Sequence, residues 1–113
     1  MTTKLKEPIY VSGPMSHFPG NNRDAFDDAC KRLRSVGYEV CSPHEVNLAV
    51  DPKWTEQELW EQFMRADIEL LVSCKSVVVL PHWQSSRGAQ LEVHIAHALK
   101  MAVVPFEIVT VPV

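Results

Sequence analysis

Ser76-Val77-Val78-Val79-Leu80, stopped by Pro81, is the stretch on which the fold turns. It is apolar without alternation, β-branched, and too short to be a helix of its own. Such a run reads as a strand buried on both faces, the situation of strands in a parallel sheet covered by helices. Outward from it, strands and helices alternate. Downstream, a helix is predicted from Gly88 to Lys100 with Ser86 as its cap, then a strand from Ala102 to Phe106. Ile108 to Val111 reads as a fifth strand or an extended tail. Upstream, Thr55-x-x-Glu58 is a capping box that opens a helix continuing to Ser73. Before it lie a strand from Tyr38 to Cys41 and a helix from about Arg23 to Val36. That helix takes Asn22 as its cap, carries a stripe of Phe26, Ala29, Cys30, Leu33 and Val36, and is closed by Gly37. Pro8-Ile9-Tyr10-Val11 is the first strand, ending at Ser12-Gly13-Pro14. The fold class is α/β: a three-layer, flavodoxin- or Rossmann-like doubly wound sheet of four or five mostly parallel strands. Ligands of such sheets bind beyond the carboxyl ends of the strands, here the loops Ser12–Asn22, Ser42–Lys53 and Pro81–Arg87.

A chain of 113 residues is long enough for one domain, expected to span residues 1–113, and too short for two. Its 46% hydrophobic and 22% charged content is that of an ordinary globular protein. A net charge of −3 points to neither nucleic acid nor an anionic membrane as a partner. It leaves room for a small anionic ligand held by backbone N–H groups and an arginine. Cys30, Cys41 and Cys74 follow no metal-binding spacing and read as free thiols of a reducing compartment. No apolar run reaches the ~20 residues of a membrane span, and no signal peptide is evident, so a cytoplasmic protein is expected.

Two carboxylates lie on the wrong side of their helices. On a wheel of ~100° per residue, Gln90, His94 and His97 form the solvent stripe of the third helix. Glu92 falls opposite, among Ala89, Leu91, Ile95, Ala96 and Leu99. In the second helix the polar arc is Glu58, Glu61, Gln62, Arg65 and Glu69. Asp67 sits instead between Leu59, Phe63, Leu70 and Leu71. A buried carboxylate is costly unless paired, hydrogen-bonded or protonated, so two such residues suggest one shared polar pocket. The plainer readings are a helix-dipole preference for Glu92 and a pairing of Asp67 with Arg65, Arg87 or a backbone N–H.

Ile9-Tyr10-Val11-Ser12-Gly13-Pro14-Met15, Asp67 and Ser86-x-Gly88-x-x-x-Glu92 together resemble the nucleoside 2-deoxyribosyltransferase superfamily. The likeness is greatest to small proteins of that type from phages and bacteria, on two further segments: Asn22-x-x-x-Phe26 and Trp83-x-x-Ser86-Arg87-Gly88-Ala89. The resemblance runs from Pro8 to about Phe106. It implies that Glu92 attacks the anomeric carbon, that Tyr10 orients and polarises it, and that Asp67 contacts the base and protonates it as it leaves. This is a two-carboxylate retaining scheme with a glycosyl-enzyme intermediate. Entry of water makes a hydrolase, and entry of a second base makes a transferase.

Ser86, six residues before Glu92, decides nucleoside against nucleotide. An aspartate at that place in the nucleoside transferases holds the sugar 5′-hydroxyl, whereas a serine in the nucleotide N-glycosidases contacts the 5′-phosphate. The resemblance therefore implies a 2′-deoxynucleoside 5′-monophosphate, received by Ser12, Gly13, Pro14, Met15, Arg23, Ser86, Arg87 and Gly88, with Ser86 also readable as a helix cap alone. It also implies a homodimer or larger homo-oligomer, for which Trp60, Met64 and Ile68 on a flank of the second helix supply an apolar patch. Compared with most relatives the chain is short, with the expectation that a C-terminal segment completing a neighbour's site is missing. Lys75-Ser76 stands where an acidic residue often precedes the third strand. Glu92-x-His94-x-x-His97 does not read as a metal site, because Glu92 faces away from both histidines. With no Gly-x-Gly-x-x-Gly and no P-loop, no cofactor is expected. Trp83 either stacks on the base or packs beneath its loop, and His44 and His82 border the loops. Rival readings are a true deoxyribosyltransferase, a nucleotide-binding module without turnover, and a structural homo-oligomer with a vestigial pocket.

Overall fold

The computed structural model describes residues 4–109. Four strands form one wholly parallel sheet: β1 (Ile9–Ser12), β2 (Val40–Cys41), β3 (Ser76–Val79) and β4 (Ala102–Pro105), in the order β2-β1-β3-β4. Three helices connect them: α1 (Arg23–Ser35), α2 (Glu56–Val72) and α3 (Arg87–Ala98). Residues 9–12 of β1 align one for one with 76–79 of β3, and Leu80 extends the ladder by donating its N–H to the Ser12 carbonyl at 2.9 Å. The three-layer, all-parallel arrangement read from the valine run is the one the chain adopts.

Side-chain alternation along the strands sorts the core into two layers. Ile9, Val11, Val78 and Leu80 face α1 and meet Phe26, Ala29, Cys30 and Leu33. Tyr10, Val77 and Val79 face the other way, toward Leu71 of α2 and Val93 and Ala96 of α3. The start of α2 and the end of α1 each have an identifiable cause. Thr55 Oγ1 accepts the Glu58 N–H at 3.1 Å while Glu58 Oε1 accepts the Thr55 N–H at 3.2 Å, a reciprocal cap worth about 1 kcal/mol. Gly37, at φ +94°, ends α1 with N–H bonds from Gly37 to Arg34 and from Tyr38 to Leu33.

Several boundaries differ from expectation. Asn22 stands at the N-cap position of α1 but its side chain does not cap: it lies in the left-handed region at φ 61°, and its amide donates to the Pro14 carbonyl at 3.0 Å. It thereby ties the loop to the end of β1. The second strand is shorter than Tyr38–Cys41, because Tyr38 closes the end of α1 and its hydroxyl accepts the Leu5 N–H. No fifth strand forms within the described residues. After β4 the chain makes a short 3-10 turn at Phe106–Ile108, placing Phe106 and Val109 against the α1-side core. The rest of the expected segment, residues 110–111, lies outside the described residues. Leu99, expected on the apolar side of α3, is 55% exposed beyond its last turn, and Val93 is buried there instead. Among the described residues, no helix is long and apolar enough to cross a membrane.

Candidate active site

The chain leaves β1 toward β2 on one side and returns through α2 to β3 on the other, so the strand order reverses between β1 and β3. Their carboxyl ends therefore flank a crevice at the switch point, where α/β sheets of this order bind ligands. Tyr10 and Ser12, two residues apart on β1, share the face toward α2 and α3 and are fully buried. Glu92, in the second turn of α3, meets them there. The Tyr10 hydroxyl donates to Glu92 Oε2 at 2.6 Å, and Ser12 Oγ donates to Glu92 Oε1 at 2.7 Å. Asp67 enters the same layer from α2. Glu92 is 4% exposed and Asp67 6%, so both wheel assignments hold, and His94 and His97 are exposed.

The two carboxyls are treated unequally. Glu92 receives a donor on each oxygen, whereas Asp67 Oδ1 is buried with no hydrogen-bond partner among the described residues. Burial raises Glu92 to about 7, and the hydroxyls of Tyr10 and Ser12 pull against that rise. Burial raises Asp67 to about 7 as well, with the charge of Glu92 adding to the rise. Burial followed by the charges of Glu92 and Asp67 drives Tyr10 well above the ordinary phenol range, so it stays a donor. Hydrogen bonds thus favour the ionised form of Glu92, while desolvation and a neighbouring charge favour the protonated form of Asp67.

The residues expected to receive a phosphate are brought together only in part. Ser86 caps α3, its Oγ accepting the Ala89 N–H at 3.2 Å, and by helix geometry the N–H groups of Arg87 and Gly88 have no partner within the helix. Gly13 lies against β3: a Cβ there would fall 2.8 Å from Leu80 Cβ, so only glycine fits. Pro14 is fully buried, and Met15 packs on the α1-side core. Arg87 turns toward α2, its guanidinium 3.8 Å from the Trp60 ring centre and 3.2 Å from Gln57 Oε1. Arg23 is not at the carboxylates. It pairs with Asp27 at 3.5 Å and lines a groove with Cys30, Lys31, Arg34 and Glu45.

The hydroxyl of Ser12, a residue expected among the ligand contacts, belongs to Glu92. The signal was available, since Ser12 has the same strand parity as Tyr10. The sequence also leaves Trp60 and Met64 on an outer flank. Met64 is buried against Gly88, its Sδ lying 3.1 Å from where a Cβ on Gly88 would stand, and Trp60 lies under Arg87. That flank faces α3, which weakens it as an oligomer surface. Trp83 packs beneath its loop against the layer that holds Tyr10 and Val93.

A family model described as a domain of unknown function (DUF4406) matches residues 7–105. None of the curated proteins matches the chain. Among solved structures, a 2-deoxyribosyltransferase from the psychrotolerant bacterium Bacillus psychrosaccharolyticus superposes with a TM-score of 0.66 at 18% identity. The match covers 86% of this chain and 69% of that one, so the two share a fold.

Proposed function

The chain belongs to the family described as a domain of unknown function (DUF4406), and we propose that it cleaves the N-glycosidic bond of a 2′-deoxynucleoside 5′-monophosphate. The observation that carries this reading is the buried carboxyl pair with two O–H donors on Glu92 and none on Asp67 Oδ1. Glu92 has donors that favour its anion and Asp67 Oδ1 has none, a difference in the direction needed for a nucleophile and a proton donor. A Glu92 oxygen bonds to C1′ as the C1′–N bond breaks. The bond's electron pair goes to the base nitrogen, and Asp67 supplies the proton that neutralises the departing base. Water then attacks C1′, its proton passes to Asp67, and Glu92 departs as a carboxylate. A second base in place of the water gives exchange, a reading favoured by the fold shared with the 2-deoxyribosyltransferase. The phosphate goes to the N-terminus of α3, where the Arg87 and Gly88 N–H groups and the helix dipole favour an anion.

The experiment is a panel of deoxynucleosides and their 5′-monophosphates, with released base read by chromatography and free base added to detect exchange. Hydrogen bonds to a charged group contribute about 1.5–3 kcal/mol each, so two of them predict at least about a hundredfold higher kcat/KM for monophosphates. Ser86→Asp should reverse the preference by setting a carboxylate beside the phosphate. Equal kcat/KM for nucleoside and monophosphate would leave Ser86 a helix cap only. Tight binding with no base released would make the chain a binding module.

A further inference from the structure

Ser12 does not have the geometry of a ligand contact. It is fully buried, and its one hydroxyl hydrogen is committed to Glu92 Oε1 at 2.7 Å. Its backbone is fixed along β3, paired in register with Val79 and accepting the Leu80 N–H at 2.9 Å. The next residue, Gly13, is locked against Leu80 by the absence of a Cβ. A carboxylate with one donor still turns about that bond, whereas donors on both oxygens fix its plane. Tyr10 alone would leave Glu92 free to swing.

We infer that Ser12 is a positioning residue for the reacting carboxylate, fixing the plane of Glu92 together with Tyr10 rather than touching the phosphate. This rests on the proposed role of Glu92 and deepens it. When one Glu92 oxygen bonds to C1′, the other becomes the ester carbonyl and keeps its donor. When the ester is broken, both donors are in place to receive the returning charge. The titratable groups facing Glu92 are Tyr10 of β1 and Asp67 of α2, while β3 contributes only Val77 and Val79 to that layer. The hydroxyl of Ser12 is therefore one of two donors that favour the ionised form of Glu92 and oppose the rise its burial causes.

The test uses the whole chain and two variants, Ser12→Ala and Ser12→Thr. The Glu92 side-chain carboxyl is followed by carbon NMR through a pH titration, its signal assigned by its loss in Glu92→Gln. Losing a donor to the charged form should raise the Glu92 midpoint by about one to two pH units in Ser12→Ala, while Ser12→Thr stays near the parent. The acid limb of kcat/KM should move up by the same amount. At pH 7, where half of the parent's Glu92 is already protonated, kcat should fall about five- to fiftyfold, with KM within about twofold. Should Ser12→Ala not fold, Ser12→Cys, with its weaker S–H donor, should give an intermediate rise. An unmoved Glu92 midpoint in a folded Ser12→Ala or Ser12→Cys overturns the inference. The NMR arm needs no turnover, so a parent that releases no base defeats the proposed reaction while still deciding the role of Ser12.

Discussion

Replacing Asp67 by asparagine should stabilise the protein at alkaline pH while removing most of its activity. The unfolded carboxyl ionises near pH 4, whereas the folded one, pushed up by burial and then by the charge of Glu92, does so at about 7. Between those values the folded chain holds a proton that the unfolded chain has released. Stability from this group is therefore complete below pH 4 and is lost as pH rises through 7. A separation of about three pH units corresponds to at most about 4 kcal/mol of destabilisation by pH 8. The asparagine side chain never ionises and escapes that cost. Its amide still occupies a site where Oδ1 has no donor, but protonated Asp67 has the same deficit, so near pH 4.5 the two proteins should be about equally stable. Urea unfolding at pH 4.5 and pH 8 should show a relative gain for Asp67→Asn of about 2–4 kcal/mol at the higher pH. Turnover should fall about a hundredfold or more with KM little changed, since proton delivery matters in the transition state. Equal stability differences at both pH values, or a variant that is weaker at pH 8, would refute the claim that Asp67 is a buried acid held protonated by its surroundings.

Glu92→Gln should abolish base release by several powers of ten while still binding a monophosphate, read by calorimetry; activity within tenfold of the parent would remove Glu92 from the mechanism. Gly13→Ala should cost about 1–3 kcal/mol in urea unfolding, because its Cβ would meet Leu80 Cβ at 2.8 Å, and neither atom is the end of a flexible chain. Lys100→Gly should raise stability by about 1 kcal/mol, seen as a rise in Tm of about 4 °C, with activity unchanged. Lys100 sits at φ 59°, with Lys100 N–H bonded to His97 and Met101 N–H to Ala96, the motif that Gly37 fills at the end of α1.

The frame was legible because its signals are local. A valine run, a capping box and a glycine after a helix act on their own neighbourhood, and β3, α2 and the end of α1 lie where those signals put them. Asn22 looked like a cap because its residue type favours that place, but its amide answers to Pro14, which only the folded loop brings near. Met64 and Trp60 fell outside the main stripe of α2. A helix wheel shows which flank is apolar, but not that a second helix will lie along it. Among the described residues the expected fifth strand failed for a similar reason: Phe106 and Val109 serve the α1-side core instead of a sheet edge.

The site itself was legible because it contradicts its setting. The α1-side layer is mostly apolar: strand alternation gives it Ser76, whose buried Oγ has no partner among the described residues, but it takes no buried carboxyl. All four buried polar side chains of the proposed machinery lie in the other layer: Tyr10 and Ser12 from β1, Asp67 from α2, Glu92 from α3. Each is a poor choice for packing where it stands, and together they form one cluster at the carboxyl end of the central strands. Glu92 and Asp67 are visible from sequence since a carboxylate on an apolar face is a large violation. Ser12 is a small one, as a serine at a strand end is unremarkable by type, and its meaning emerges only when the helix opposite supplies the acceptor. A sequence under selection for stability alone would fill this layer as it fills the other. That both buried carboxyls gather in one layer, with two hydroxyl donors on one of them, is the physical support for the proposal that the layer is a reacting site.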